Sequence, residues 1–209
     1  MSSLRSLPYI TVCAAVVTIA GAAPARAQTR LDLTPFVGSY YALSALGLQT
    51  ANREEKHENE VAVGAALLLR LSQTFGIEAS FAYTPSGTNV TSSDTTLAAN
   101  AGFAGSIMFA GARARLWVPR TNFYGLAGLG IVSRSGEAWD FQNLTELTSI
   151  AGVGGFGVQA EASPTIRVDL KFEVQVYSFD PDGSGSQYES KTLADILATV
   201  GIPIRLMGR

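Results

Sequence analysis

The sequence predicts an all-β protein, an eight-stranded antiparallel up-and-down transmembrane β-barrel. Three observations predict this fold: strands that alternate between apolar and charged residues, connections that alternate between short and long, and an export leader with no later apolar run of membrane-helix length. Successive side chains of a strand point to opposite faces, so an alternating strand has one apolar and one polar face. A barrel that faces lipid outside and encloses polar groups inside requires that division.

The clearest alternation lies between Ile166 and Tyr177, where even positions are apolar and odd positions are mostly charged. The closing segment from Thr192 to Met207 repeats the pattern, with Asp195 and Arg205 opposite a row of aliphatic residues. The eight predicted strands are Leu31–Leu43, Asn59–Ser72, Phe75–Thr84, Ala99–Val118, Phe123–Arg134, Ser149–Ala162, Ile166–Ser178 and Thr192–Met207.

The connections between these strands alternate in length. Three are tight, at 73–74, 119–122 and 163–165, and four are long and polar, at 44–58, 85–98, 135–148 and 179–191. Outer-membrane barrels have short periplasmic turns and longer extracellular loops. The pattern therefore predicts that both ends of the chain lie on the side of the short turns.

The first residues have the features of a secretory signal. Arg5 is followed by an apolar stretch from Leu7 to Ala23, and Ala25-Arg26-Ala27 forms a small-x-small cleavage site. We expect residues 1–27 to be removed and residues 28–209 to form one barrel domain. The single cysteine, Cys13, lies within the leader, so the mature chain is expected to contain no disulfide.

Composition excludes one class of partner and favours another. The 209-residue chain has a formal net charge of −2, which disfavours nucleic acid because nucleic-acid binding requires a basic face. Its mean hydropathy is nevertheless positive. A protein that exposes every second strand residue to lipid combines these two properties.

The residues opposite the apolar faces carry charges of both signs. In an eight-stranded barrel the interior is only wide enough for side chains to fill, so these charges must pair with one another. The predicted lumen charge network consists of Arg70, Glu78, Arg113, Arg115, Glu161, Arg167, Asp169, Lys171, Glu173, Asp195 and Arg205. The faces of the glycine-rich Phe123–Arg134 strand cannot be assigned from its sequence.

Aromatic residues cluster near both ends of the predicted strands, which is typical of the two interfacial girdles of a membrane barrel. The residues near the short turns are Phe75, Trp117, Phe123 and Tyr124, and those near the long loops are Tyr40, Tyr41, Tyr83, Tyr177 and Phe179.

Catalytic and cofactor motifs are weak in this sequence. His57, the only histidine, lies in a mixed-charge run that is typical of a solvated loop. The glycine runs 125–130 and 152–157 resemble dinucleotide-binding loops, but no helix is predicted to follow either of them. We expect these glycines to relieve crowding inside the barrel, with aromatic rings packed over them. No enzymatic activity, metal or cofactor is predicted.

The chain resembles the small outer-membrane β-barrel proteins of the OmpA transmembrane-domain, OmpX and opacity-protein type. The resemblance rests on the exported N-terminus, the opening strand 34–40, the glycine-rich central strands and the closing strand 199–206, and it spans nearly the whole mature chain. It implies an eight-stranded barrel in the outer membrane of a Gram-negative-type bacterium. The family has no single function, because its members serve adhesion, envelope stability or surface interactions.

We therefore expect a structural or surface-interaction protein of the cell outer membrane, with its lumen plugged by paired charges. Its expected partners are outer-membrane lipid and lipopolysaccharide, the barrel assembly machinery, and a surface partner reached through the long loops. Three alternatives stay open. They are a narrow porin-like channel, a lipid-modifying enzyme that uses His57, and a soluble periplasmic lipid-binding barrel whose inner face is apolar and whose outer face is charged.

Overall fold

The strands form one sheet that closes on itself. The computed structural model describes residues 29–43, 53–57, 60–92, 101–136, 148–163, 166–179 and 191–208. Neighbouring strands are antiparallel, and β1 pairs with β3 on one edge and with β9 and β10 on the other. The strands in chain order are β1 (Arg30–Ala42), β2 (Arg53–His57), β3 (Glu60–Arg70), β4 (Phe75–Ser92), β5 (Ala101–Trp117), β6 (Phe123–Ser135), β7 (Thr148–Glu161), β8 (Arg167–Phe179), β9 (Lys191–Gly201) and β10 (Ile204–Met207).

Two of these strands extend others and do not add to the ring. β2 pairs with the far end of β4, beyond the part of β4 that pairs with β3. β10 continues β9 after an interruption at Ile202 and Pro203, because proline has no backbone N–H to donate. The ring therefore has eight strands, and the predicted eight-stranded antiparallel barrel is confirmed.

Some predicted strand ends differ from those in the structure. The strand predicted to end at Thr84 continues to Ser92, because β5 offers an equally long partner as far as the pair Val90–Ala101. Pro85, which marked the start of a predicted loop, lies on the outer face of this extension. The predicted leader lies outside the described residues. Among the residues described, no helix is long and apolar enough to cross a membrane.

The strand registers stagger around the barrel. Starting at Asp32 on β1, we follow each residue to its paired residue on the next strand until the path has gone once around the barrel. It returns to β1 at Ala42, ten positions further along the strand. A closed barrel requires such a shift, because its strands tilt relative to the barrel axis. The tilt brings side chains from distant parts of the sequence to the same level of the lumen.

The apolar faces point outward and the charged faces inward. Phe81, Leu129 and Phe156 are each about half or more exposed on the outer surface. Glu78, Arg113 and Arg115 are almost completely buried inside. This orientation is the reverse of that in a soluble lipid carrier, so the structure decides against that alternative.

Each short turn contains a hydroxyl side chain that accepts hydrogen bonds from the backbone. Ser72 Oγ accepts from the N–H of Phe75 at 3.0 Å, and Thr121 Oγ1 accepts from Phe123 at 3.2 Å. Ser163 Oγ accepts from Ile166 at 3.0 Å. Serine and threonine stabilise turns in this way. These bonds fix the hairpins β3–β4, β5–β6 and β7–β8 at the same end of the barrel.

The prediction of two aromatic girdles is partly wrong. Phe75, Phe123, Tyr41 and Tyr83 lie on the outer face. Four other members point into the lumen and are almost fully buried, because their positions have the inward parity of their strands. These four are Tyr40, Trp117, Tyr124 and Tyr177.

Aromatic rings pack directly over inward-facing glycines. A Cβ atom added at Gly157 would overlap the ring of Tyr124, and one added at Gly130 would overlap Phe109. These glycines therefore make room for a ring at the point where a second side chain would not fit. The predicted structural role of the glycine runs is confirmed at these positions.

A charge placed on the outer face tests the orientation of the wall. Leu129 is the middle residue of β6 and is 64% exposed. We expect Leu129→Arg to reduce the free energy of unfolding by about 2–4 kcal/mol in a lipid bilayer, because lipid cannot solvate a cation. Val118→Arg, at a short turn, should cost less than about 1 kcal/mol. Equal losses in urea unfolding of the two variants would contradict a lipid-facing β6.

Candidate functional site: the charged lumen

Six buried side chains form an ion-pair cluster in the middle of the lumen. Three are cations and three are carboxylates, so the cluster is neutral. β4 contributes one residue, β5 contributes two and β8 contributes three; the members are Glu78, Arg113, Arg115, Asp169, Lys171 and Glu173.

The ion pairs cross the lumen from β5 to β8. Arg113 Nε lies 2.8 Å from Glu173 Oε1, and Arg113 Nη2 donates to Glu173 Oε2 at 3.0 Å. Arg115 Nη1 donates to Asp169 Oδ2 at 2.8 Å. A hydrogen bond between a guanidinium and a carboxylate is strengthened by both charges. These pairs therefore connect walls of the barrel that share no backbone hydrogen bonds.

Glu78 is at the centre of the cluster. It pairs with Arg115, lies 3.4 Å from Arg113 Nη1, and accepts a hydrogen bond from Lys171 Nζ at 3.0 Å. Arg113 also donates to the hydroxyl of Ser80, two residues along β4. A buried carboxylate is tolerated only when cations and donors surround it, and Glu78 meets that condition.

Aromatic rings surround the cations of the cluster. The guanidinium of Arg115 lies 4.3 Å from the ring centroid of Tyr124, and that of Arg113 lies 4.9 Å from Phe109. The hydroxyl of Tyr124 donates to Asp169 Oδ1 at 2.6 Å. The rings supply cation–π attraction and fill the remaining space. One void within this region has a volume of about 10 Å³, close to that of a single water molecule.

A second buried group lies toward the long loops. The hydroxyls of Tyr40 and Tyr177 both donate to Oδ2 of Asp195. The guanidinium of Arg134 lies 4.7 Å from the ring centroid of Tyr177. In the described part of the chain, two phenol hydroxyls thus bind Asp195, whose place in the predicted network implied salt bridges.

A third group lies at the end with the short turns. Arg30 Nε donates to Asp32 Oδ1 at 2.7 Å, and the guanidinium of Arg70 lies 3.9 Å from the ring centroid of Trp117. Glu161 and Arg167 face each other in the register of β7 and β8. This group is more open to solvent than the central cluster.

The structure places the eleven predicted network residues in three groups. Six form the central cluster, and Asp195 belongs to the tyrosine group. The other four lie at the short-turn end, where Glu161 and Arg205 are exposed: Arg70, Glu161, Arg167 and Arg205.

Sequence reasoning missed several buried polar residues. Arg30 and Asp32 share the inward parity of β1, and the register of that strand would have placed them inside. Arg134 escaped notice because glycines mask the alternation of β6. The buried tyrosines escaped notice because they lie near strand ends, where aromatic residues are expected to face the membrane interface.

The fold is that of the small outer-membrane barrels, and comparison with solved structures confirms the resemblance at this level. Neisserial surface protein A superimposes with a TM-score of 0.53 at 10% identity, covering 83% of this chain and 96% of its own. OprG from Pseudomonas aeruginosa gives 0.54 at 12% identity, with 87% and 97% covered. AlkL, solved in lipid bilayers, gives 0.51 at 11% identity, with 89% and 94% covered.

No family model matches the sequence, and no curated protein matches it at the level of sequence. The likeness therefore concerns the backbone fold alone. Combined with an apolar outer face and a charged lumen, it defines a barrel built to span a membrane.

Removing the central carboxylate tests the cluster. We expect Glu78→Gln to reduce the free energy of unfolding by about 3–5 kcal/mol, because three buried cations then face two carboxylates. The double variant Glu78→Gln/Lys171→Gln restores neutrality. Its loss of free energy of unfolding should be smaller than the sum of the losses in the two single variants. Glu161→Gln, at the exposed end, should change stability by less than about 0.5 kcal/mol. Additive losses in urea unfolding would contradict a coupled cluster.

Proposed function

We propose that this protein is a non-conducting, non-enzymatic barrel of the bacterial outer membrane with a structural or surface-interaction role. The central ion-pair cluster carries the proposal. Its side chains and the rings around them fill the lumen at mid-height, and the void among them holds about one water. A filled lumen provides no path for solutes, so function is left to the outer wall and the two ends.

The proposed location in the outer membrane follows from the apolar outer face and the charged inner face of the barrel. On the eight strands of the ring, the outward-facing residues whose exposure the structure describes are uncharged, and lipid tolerates such a surface. Contact with outer-membrane lipid and lipopolysaccharide, and insertion by the barrel assembly machinery, belong to this proposal. The leader predicted over residues 1–27 would deliver the chain to the periplasm.

The long connections are the proposed interaction surface. They join strands at the end opposite the short turns; β2 and the far end of β4 are their described parts, and residues 44–52, 93–100, 137–147 and 180–190 lie outside the described residues. Their sequences include acidic and aromatic side chains that suit contact with a surface partner or with lipopolysaccharide: Glu137, Trp139, Asp140, Phe141 and Tyr188.

Conductance in a planar bilayer tests the closed lumen. We expect the wild-type barrel to insert without current steps. The variant Arg113→Ala/Glu173→Ala removes one cross-lumen pair without changing net charge, and it should show measurable current steps. Each protein is first checked for folding by its faster migration on a gel before boiling. Current steps from the wild-type barrel would favour the narrow-channel alternative and contradict the plug.

Deleting residues 137–147 tests whether the wall is independent of a long connection. β6 and β7 pair from Ser133–Thr148 down to Phe123–Val158 without help from these residues. We therefore expect the shortened protein to keep its heat-modifiable gel shift and its unfolding midpoint to change little. Loss of the shift would mean that the connection is needed for folding.

A further inference from the structure

A polar cavity opens at the short-turn end of the barrel. Its volume is about 460 Å³, and its lining includes Arg70, Trp117, Arg120, Glu161 and Arg167. All but Arg120 lie on inward-facing positions of the strands, whereas Arg120 belongs to the turn between β5 and β6. The remaining lining comes chiefly from the turns at 73–74 and 119–122, so the cavity lies at the rim of the barrel and opens to the aqueous side.

Positive charge dominates this end. Five arginines face two carboxylates among the described residues there, and Asp32 is already bound by Arg30 at 2.7 Å. The five arginines are Arg30, Arg70, Arg120, Arg167 and Arg205. Within the cavity itself, three arginines accompany a single carboxylate, Glu161. The central cluster is neutral by contrast, so this excess is specific to the end of the barrel.

Trp117 lies beside the cavity and carries an unpartnered hydrogen-bond donor. The side chain is 6% exposed and lines the cavity, and its Nε1–H has no hydrogen-bond acceptor among the residues that the structure describes. A buried indole N–H usually finds a partner, since leaving it without one costs free energy. Trp117 thus leaves a buried hydrogen-bond donor unused beside the cavity.

The turn holds Arg120 at the rim in a conformation that arginine seldom adopts. Arg120 has φ +64°, and the N–H of Thr121 donates to the carbonyl of Val118 at 3.2 Å across the turn. Glycine or asparagine is usual at this position of such a turn. Glycine at position 120 would therefore keep the turn while removing the guanidinium.

We propose that this cavity binds the phosphate group of a soluble ligand from the periplasmic side. Arginine forks bind phosphate oxygens bidentately, and a doubly charged oxyanion offsets the excess of cations better than a single carboxylate does. The amide of Gln159 adds a neutral donor, which a phosphate with several acceptor oxygens can use together with the guanidinium groups. This site is independent of whether the lumen conducts.

Trp117 provides the readout for the test. The sequence has two tryptophans, so the variant Trp139→Phe leaves Trp117 as the only indole. The full mature chain with this substitution is inserted into nanodiscs of zwitterionic lipid and titrated with inorganic phosphate while its fluorescence is recorded. We expect a saturable change that sodium chloride at equal ionic strength does not produce. An unsaturable change, or the same change with chloride, would overturn the proposal.

Matched arginine variants locate the site. Arg167→Gln and Arg120→Gly should each weaken phosphate binding about tenfold, the loss expected for one charge-assisted hydrogen bond. Arg205→Gln lies at the same end but outside the cavity lining and should leave the affinity within about twofold. Each variant must retain the heat-modifiable gel shift. If Arg205→Gln weakens phosphate binding as much as the other two variants do, the effect comes from the overall positive charge of this end. That result would overturn a specific phosphate site in the cavity.

Nanodiscs that contain phosphatidylglycerol distinguish the source of the phosphate. A soluble ligand predicts the same phosphate affinity in zwitterionic and anionic discs. In the other outcome, anionic lipid changes the Trp117 fluorescence without added phosphate and prevents inorganic phosphate from binding. That result would assign the site to a lipid headgroup and overturn the soluble source.

Discussion

The need to neutralise charge inside a narrow ring of strands is the constraint on which the rest of this structure depends. Eight strands leave no room for water to solvate an arginine, so Arg113 and Arg115 must find carboxylates within the lumen. Their partners Glu173 and Asp169 lie on β8, across the barrel. The ion pairs therefore connect walls that face each other, and they close the lumen.

Glycines and aromatic rings fill the space in the lumen that the ion pairs leave. Tyr124 illustrates the connection, because its ring occupies the space that Gly157 leaves, contacts the guanidinium of Arg115 and donates its hydroxyl to Asp169. One side chain thus serves packing, cation–π attraction and hydrogen bonding at once. An interior built from such shared contacts has few places where a solute could pass, which favours a scaffold over a channel.

The two ends of the lumen are built differently, and the difference has functional consequences. Toward the long connections, Asp195 is buried beneath Tyr40 and Tyr177. Toward the short turns, arginines outnumber carboxylates around a cavity that the buried indole of Trp117 also lines. The proposed surface role and the proposed phosphate site therefore lie at opposite ends of a neutral centre.

By the sequence alone, period-two alternation determined the all-β class, the eight strands and the charged face of β8, and the alternating lengths of the connections determined the common side of the short turns. Local alternation carries that information because neighbouring side chains must point to opposite faces. Alternation could not assign β6, where glycines hide the parity of Arg134. The clustering of aromatic residues near strand ends wrongly predicted that Trp117 and Tyr177 face the membrane interface. Only the tertiary structure decided these points, together with the pairing of Arg113 with Glu173. Partners sixty residues apart meet through the stagger and closure of the barrel, which depend on the registers of all eight strands at once.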